Sequence, residues 1–97
     1  MQLSGVYVMK RWFRLVYPPE LLNQPVIYQL IKHYDVVTNI FQAQVDKNSG
    51  WLVLEMQGTV VVLTEAGNWL REEGLIVEEL KTPPSSGAGS RKTGEGS

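Results

Sequence analysis

The stretch VVTNIFQAQVDKNSGWLVLEMQG, residues 36–58, decides the fold. Its two halves, 36–46 and 51–57, are rich in branched and aromatic residues, which favour β-strands. The polar segment KNSG, 47–50, between them is typical of a tight connection, in which Gly50 can supply a positive φ. We therefore predict a β-hairpin that closes at Gly58.

The sequence before the hairpin predicts one strand and one helix. KRWFRLVY, residues 10–17, has strand composition and stops at Pro18 and Pro19. Asn23 is a candidate N-cap, and Pro25 would then occupy the first helical turn, where its missing N–H costs nothing. Apolar residues follow at helical spacing, which predicts a helix over about 24–34. They are Val26, Ile27, Leu30, Ile31 and Tyr34.

The segment TVVVLTEAGNWLREEG, residues 59–74, has two interpretations at its start. The valines at 60–62 favour a strand, whereas Thr59 can cap a helix and Gly74 suits the position after a helix end. We interpret the segment as a helix. Gly67 lies in its interior, which costs about 1 kcal/mol relative to alanine. We expect a close approach to the sheet to be the reason for this glycine.

A short strand, LIVEEL at 75–80, completes a β-α-β-β-α-β order. That order is typical of the ferredoxin-like α+β fold. Right-handed crossovers then place both helices on one face of a four-stranded antiparallel sheet with strand order 4-1-3-2. We expect the other face of the sheet to be uncovered.

The chain of 97 residues has the length of a single domain. We assign residues 1–9 to an N-terminal segment and 10–81 to the folded domain. We expect TPPSSGAGSRKTGEGS, 82–97, to be a flexible tail, because it lacks the apolar groups that a core needs. The tail has a net charge of +1, which leaves −2 on residues 1–81 of a chain whose total is −1.

Composition excludes several functional classes. There is no cysteine, so disulfides, thiolate metal sites and cysteine nucleophiles are excluded. No apolar run reaches the length of a membrane span, and residues 1–17 do not read as a signal peptide. We expect a cytoplasmic protein without membrane insertion, cofactor or metal.

Enzymatic and nucleic-acid-binding functions have little support in the sequence. His33 is the only histidine, and no nucleophile, base and orienting group can be assembled around it. Lys10, Arg11 and Arg14 alternate with aromatic residues, as on RNA-binding sheets, but Glu55 and the negative charge of the domain oppose that function. We expect neither catalysis nor nucleic-acid binding.

The run Thr38-Asn39-Ile40-Phe41-Gln42-Ala43-Gln44-Val45-Asp46 resembles the core of the NIL domain family, although Phe41 replaces the leucine of its Asn-Ile-Leu tripeptide. A proline that opens the first helix and a glycine that ends the third strand also match. So do an Ala-x-x-Trp-Leu segment and a final apolar-Val-Glu strand. These features are Pro25, Gly58, Ala66 with Trp69 and Leu70, and Ile76 to Glu78. The resemblance covers residues 11–81.

This resemblance implies a regulatory module that binds a small ligand, such as methionine, at a dimer interface. Carried over from the family, the ligand-binding residues would be Asn39, Ile40, Val45 and Leu52. From the sequence alone, Asn39 can also be a solvent-facing residue of an edge strand. The chain itself contains no P-loop motif.

The uncovered sheet face is the second candidate surface. We expect Trp12, Val16, Trp51 and Val53, together with Ile40, to share it. In that case it would be the contact surface of a homodimer or of a complex with another protein. Alternatively, the N-terminal segment folds over it. The sequence thus predicts a small-ligand sensor, with a protein–protein adaptor as the alternative function.

Overall fold

Six regular elements follow one another in the order that the hairpin and its flanks predict. The structure is a computed structural model that describes residues 7–84. The strands are β1 (Met9–Tyr17), β2 (Val37–Val45), β3 (Gly50–Gly58) and β4 (Ile76–Leu80), and the helices are α1 (Val26–His33) and α2 (Val60–Glu73). The flexible tail predicted at 82–97 and the N-terminal segment at 1–9 lie largely outside the described residues.

The strands form one antiparallel sheet in the order β2-β3-β1-β4. This is the predicted order 4-1-3-2 read from the other edge, so the ferredoxin-like α+β fold is confirmed. The two central strands are β3, the second strand of the hairpin, and β1, the first strand of the chain. β2 and β4 form the two edges.

The core lies between one sheet face and the two helices. Alternate residues of the central strands point toward the helices, because side chains along a strand alternate between faces. The side chains that meet there include Leu15, Leu54, Leu30 and Leu70, none of which is exposed to solvent. Within residues 7–84 no helix covers the opposite face, as predicted.

The ends of α2 follow the predicted capping pattern. The Thr59 hydroxyl accepts a hydrogen bond from the backbone N–H of Val62 at 3.2 Å. At the other end Gly74 adopts a φ of 110°, a left-handed conformation that favours glycine. The valine run is therefore the first turn of the helix, and the alternative strand is wrong.

The start of α1 differs from the prediction. A single 3₁₀ turn at Pro19–Leu21 precedes the helix, and Pro25 stands at the capping position, with no side-chain cap hydrogen bond. The prediction that Asn23 caps α1 is wrong, because the N–H of Val26 bonds to the Gln24 carbonyl oxygen at 2.8 Å and fixes the entry locally.

The hairpin turn is organised by Asp46 rather than by a left-handed glycine. The Asp46 carboxylate accepts hydrogen bonds from the backbone N–H groups of Asn48 at 2.8 Å and Ser49 at 2.9 Å. Gly50 is the first residue of β3, and among the described residues only Gly74 is a glycine with positive φ. The expected role of Gly50 in supplying a positive φ is therefore wrong.

Within residues 7–84, no helix has the length and apolar character needed to cross a bilayer.

Candidate functional site

The four residues predicted for the partner surface all lie on the sheet face that the helices leave open. Val16 pairs with Trp51, and Arg14, between Trp12 and Val16, pairs with Val53. Paired residues of antiparallel strands project to the same side, so Trp12, Val16, Trp51 and Val53 share one face. We call this surface the open face.

Large side chains partly cover the open face themselves. The Trp12 indole N–H donates a hydrogen bond to the Glu55 carboxylate at 3.2 Å. The Arg14 guanidinium carbon lies 5.4 Å from the ring centre of Trp51, within cation–π range. Val53 is buried although no helix covers it. The face is therefore a surface of half-buried aromatic and charged groups that contact one another.

Ile40 does not share the open face. It pairs with Leu54, which is fully buried on the helix side of the sheet. The expectation that Ile40 lies beside Trp12 and Trp51 is wrong, since an irregularity between Ile40 and Gln42 shifts the register of β2. Such a bulge changes which side chains reach each face.

The edge strand β2 exposes several large apolar side chains. Val37 is 65% exposed and Val45 70% exposed, and Ile40 and Phe41 are also exposed. Nine residues of β2 include no charged residue and no proline. The opposite edge, β4, has five residues, two of which are glutamates. Charge and shortness protect sheet edges against pairing, so β4 is protected and β2 is open to a partner.

Asn39 lies in the middle of this edge strand. It is exposed and pairs with Glu55, which places it on the open face. Its side-chain amide makes no hydrogen bond to any other part of residues 7–84. With respect to residues 7–84, the amide therefore has both donors and its acceptor available to a ligand or a partner backbone.

Two of the other predicted ligand residues, Val45 and Leu52, line one apolar pocket. It has a volume of about 190 Å³ and is completed by five further residues. These are Tyr17, Leu22, Gln24, Ala43 and Trp51. An apolar cavity of about 150 Å³ can hold benzene, so this pocket has room for one small apolar side chain.

Tyr17 supplies a polar group to the pocket. Burial raises the pKa of its phenol above the ordinary value, so the hydroxyl is neutral at physiological pH and can donate a hydrogen bond. The sequence does not predict that Tyr17, Leu22 and Gln24 line this pocket, because they come from the end of β1 and the turn after it. No local pattern links that turn to the hairpin.

The four predicted ligand residues do not meet within one chain. Asn39 and Val45 are separated by six positions along β2, or roughly 20 Å at about 3.3 Å per residue. They also lie on different faces of the sheet. Asn39 is on the open face, whereas Val45, which follows the register shift, pairs with Gly50 and lies on the helix side. No single amino acid can contact both in one copy of the protein.

His33 belongs to an aromatic cluster on the helix layer. Its ring centre lies 5.6 Å from that of Trp69, and Tyr34 lies 6.2 Å from the same tryptophan. No group of three His, Cys, Asp or Glu side chains within the described part of the chain is arranged to hold a metal ion.

A four-stranded antiparallel sheet with two helices on one face defines a ferredoxin-like α+β domain, and comparisons with known proteins identify its family. The model of the NIL domain family matches residues 11–79. The chain belongs to the NIL domain family.

Curated relatives are methionine import ATP-binding proteins called MetN. That of Helicobacter pylori is 32% identical over 73 residues, which are 71% of this chain and 22% of the relative. That of Ralstonia nicotianae is 32% identical over 72 residues, which are 70% of this chain and 21% of the relative. The chain thus matches about a fifth of the length of these relatives.

A solved structure has the same fold. The C-terminal domain of an ABC transporter ATP-binding protein from Enterococcus faecalis superposes with a TM-score of 0.65 at 21% sequence identity. The match covers 75% of this chain and 86% of that domain.

Proposed function

We propose that this chain is a non-catalytic regulatory domain that binds a small amino acid, such as methionine, between two copies of itself. The observation that carries the proposal is the free amide of Asn39 on an uncharged, exposed edge strand of a NIL domain. Relatives named for methionine import support methionine as the first ligand to test. On the same basis we propose that the domain acts with an ABC importer, on the cytoplasmic side of the membrane.

The chemistry around Asn39 suits the polar end of an amino acid. Its amide can donate to a carboxylate and accept from an ammonium group. Glu55, its partner in the sheet, places a carboxylate near the Asn39 amide. The indole N–H of Trp12 donates a hydrogen bond to that carboxylate. A negative charge at this position favours the ligand's ammonium group over an anionic ligand.

Pairing between two copies would remove the distance along β2 between Asn39 and the apolar pocket. When two β2 strands run antiparallel about a central axis, residues near one end of a strand lie opposite residues near the other end of its partner. Asn39 of one copy would then approach Val45 and the pocket wall at Leu52 of the other. The four residues would then lie along one interface between the two copies, with Asn39 on the open face and Ile40 and Val45 on the helix side of the paired sheet.

The surface of β2 supports this pairing. Its backbone edge is open, and its side chains include exposed valine, isoleucine and phenylalanine without a protecting charge. The open face adds Trp12, Val16, Trp51 and Val53 next to that edge. We propose that the homodimer uses β2 together with this face.

A protein–protein adaptor without a small ligand is the second candidate. The contacting pairs Trp12–Glu55 and Arg14–Trp51 give the open face both apolar and charged groups. Aromatic residues and arginine are enriched at the centres of protein interfaces. In this case the partner would cover the open face, and Asn39 would bond to its backbone.

Calorimetric titration tests the sensor against the adaptor. We expect methionine, or another member of an amino-acid panel, to release or absorb heat with the wild type and not with Asn39→Ala. The loss should be about 1–3 kcal/mol in binding, because a polar group of the ligand is left unpaired. Asn23→Ala is the matched control, since Asn23 is also exposed and caps no helix.

Melting curves without ligand complete the test. Asn39→Ala should melt like the wild type if the amide serves a ligand. A large loss of stability in the free protein would instead give Asn39 a structural role. If no member of the amino-acid panel releases or absorbs heat with the wild type, that result would contradict the sensor function and favour the adaptor function.

A further inference from the structure

A small polar cleft lies on the helix side of the sheet, away from the open face and the apolar pocket. It has a volume of about 90 Å³ and lies between α2 and the strands β1 and β4. Its rim carries five polar or charged side chains, and its floor is Phe13 and Leu63, both buried. The rim side chains are Arg11, Thr64, Asn68, Arg71 and Glu79.

Two arginines converge on this cleft from different elements. The Arg71 side chain folds back along α2 and donates one hydrogen bond, from Nη2 to the Val77 carbonyl oxygen at 3.2 Å. Its other guanidinium nitrogens make no hydrogen bond within residues 7–84. Arg11 reaches the cleft from β1, where its Nε lies 3.7 Å from the Glu79 carboxylate.

The cleft is locally positive in a domain that is acidic as a whole. Two guanidinium groups face one carboxylate, whereas residues 1–81 carry a net charge of −2. The Arg11–Glu79 pair is long and both side chains are partly exposed, so it is weak and can be displaced. The buried apolar floor strengthens the field of the arginines, because it keeps water from one side.

Gly67 keeps the cleft open. It is a buried residue in the interior of α2, and a Cβ built there would meet only the Arg71 Nη1 atom, at 3.8 Å. The sheet therefore does not require a glycine at this position. The missing side chain instead leaves a gap in the helix surface between Thr64, Asn68 and Arg71, which project from the same side of α2 at spacings of three and four residues.

We propose that this cleft binds a phosphate group. Arginine pairs match the oxygen geometry of phosphate, and the Thr64 hydroxyl and the Asn68 amide supply two further hydrogen-bond donors. The volume of the cleft is large enough for one tetrahedral ion or the end of a phosphate monoester. The proposal does not depend on amino-acid sensing.

Glu79 gives the proposal a distinctive prediction. Its carboxylate competes with an incoming phosphate for Arg11, so Glu79→Gln should bind phosphate more tightly. Arg71→Gln should bind at least about ten-fold more weakly, the factor that corresponds to one charge-assisted hydrogen bond. Gly67→Ala should also bind more weakly, since its methyl group would occupy part of the cleft beside the Arg71 guanidinium.

Nuclear magnetic resonance titration of the full chain with inorganic phosphate, at constant ionic strength in chloride, is the measurement. We expect the backbone amide signals of Gly67 and Asn68 to shift and saturate, and methyl phosphate in a second titration to distinguish the free ion from a monoester. Arg14→Gln is the matched control, because Arg14 lies on the opposite face. It should leave the titration unchanged.

Three results would overturn the proposal. They are the absence of saturable shifts at these amides, equal affinity in Gly67→Ala, and weaker binding in Glu79→Gln. Each variant's spectrum without phosphate shows whether it is folded. None of these results bears on methionine binding at Asn39, so the failure of one proposal is distinguishable from that of the other.

Discussion

Glycine at position 67 lowers the stability of α2, and the packing around this position does not require a glycine. A Cβ at this position would make only an ordinary van der Waals contact with the Arg71 side chain. The expected reason for this glycine, a close approach to the sheet, is wrong. We predict that Gly67→Ala raises the free energy of unfolding by about 0.5–1 kcal/mol, the difference in helix propensity. Urea denaturation with an unchanged m-value is the measurement.

Gly74 is the matched control for that experiment. It lies at the end of the same helix with a φ of 110°, which side chains rarely adopt, and its Cβ would lie 3.2 Å from Leu21 Cδ1. Gly74→Ala should therefore lower the free energy of unfolding by about 1 kcal/mol or more. Destabilisation by both substitutions would show that α2 packs more tightly at Gly67 than the contacts indicate.

Asp46 makes the hairpin sensitive to acid. The backbone N–H groups of Asn48 and then Ser49 hold the pKa of its carboxyl below the ordinary value, since both bonds favour the charged form. The folded chain thus binds this proton less tightly than the unfolded chain. The stabilisation is fully present above the unfolded pKa of about 3.9 and is lost as the pH falls through the lower folded value.

Asp46→Asn isolates this effect, because asparagine can accept the same hydrogen bonds without titrating. We predict that the wild type is more stable than the variant at pH 7. The difference should decrease as the pH falls below about 4. Denaturation curves measured from pH 7 to pH 2 provide the comparison. A difference that is constant with pH would exclude Asp46 as the source.

The two helices show which element boundaries a sequence can predict. α2 is capped by Thr59 and Gly74. The capping preferences of these residues act within one helical turn, so the local sequence is enough to predict both ends. The start of α1 is different. Proline at 25 and a preceding 3₁₀ turn replace the side-chain cap, so the asparagine at 23 was misleading. Such a turn depends on packing beneath it, which local propensity does not contain.

The strands show a similar limit. Alternation along β1 and β3 correctly predicts that Trp12, Val16, Trp51 and Val53 share one face. In β2 the register shift after Ile40 interrupts the alternation, and the composition of the strand gives no sign of it. One extra residue exchanges the faces, so the prediction for Ile40 failed.

At the scale of the whole molecule, the sequence does not contain the distances between the candidate residues. The NIL resemblance singled out Asn39, Val45 and Leu52, but only the folded chain shows that Asn39 lies far from the pocket of the other two. The phosphate cleft combines β1, α2 and β4. No motif joins Arg11 to Arg71 and Glu79 along the chain, so only the three-dimensional structure brings them together.

The last prediction concerns assembly. We expect the chain of 10.9 kDa to sediment at about twice that mass at micromolar concentration. Trp51→Glu should shift it toward the monomer, since a carboxylate on the open face next to β2 would be buried in the interface without a partner. Ile76→Glu is the matched control, because Ile76 lies on the same face at the protected β4 edge and is 65% exposed.

Val37→Lys gives an independent test at the edge itself. Val37 is also 65% exposed, but it lies on β2, so a lysine there should prevent pairing while Ile76→Glu remains dimeric. Circular dichroism melting of each variant separates dissociation from unfolding. Dissociation by Ile76→Glu alone would move the interface to β4. A wild type that is monomeric at every concentration would contradict the dimer, and with it an amino-acid site shared between Asn39 of one copy and Val45 of the other.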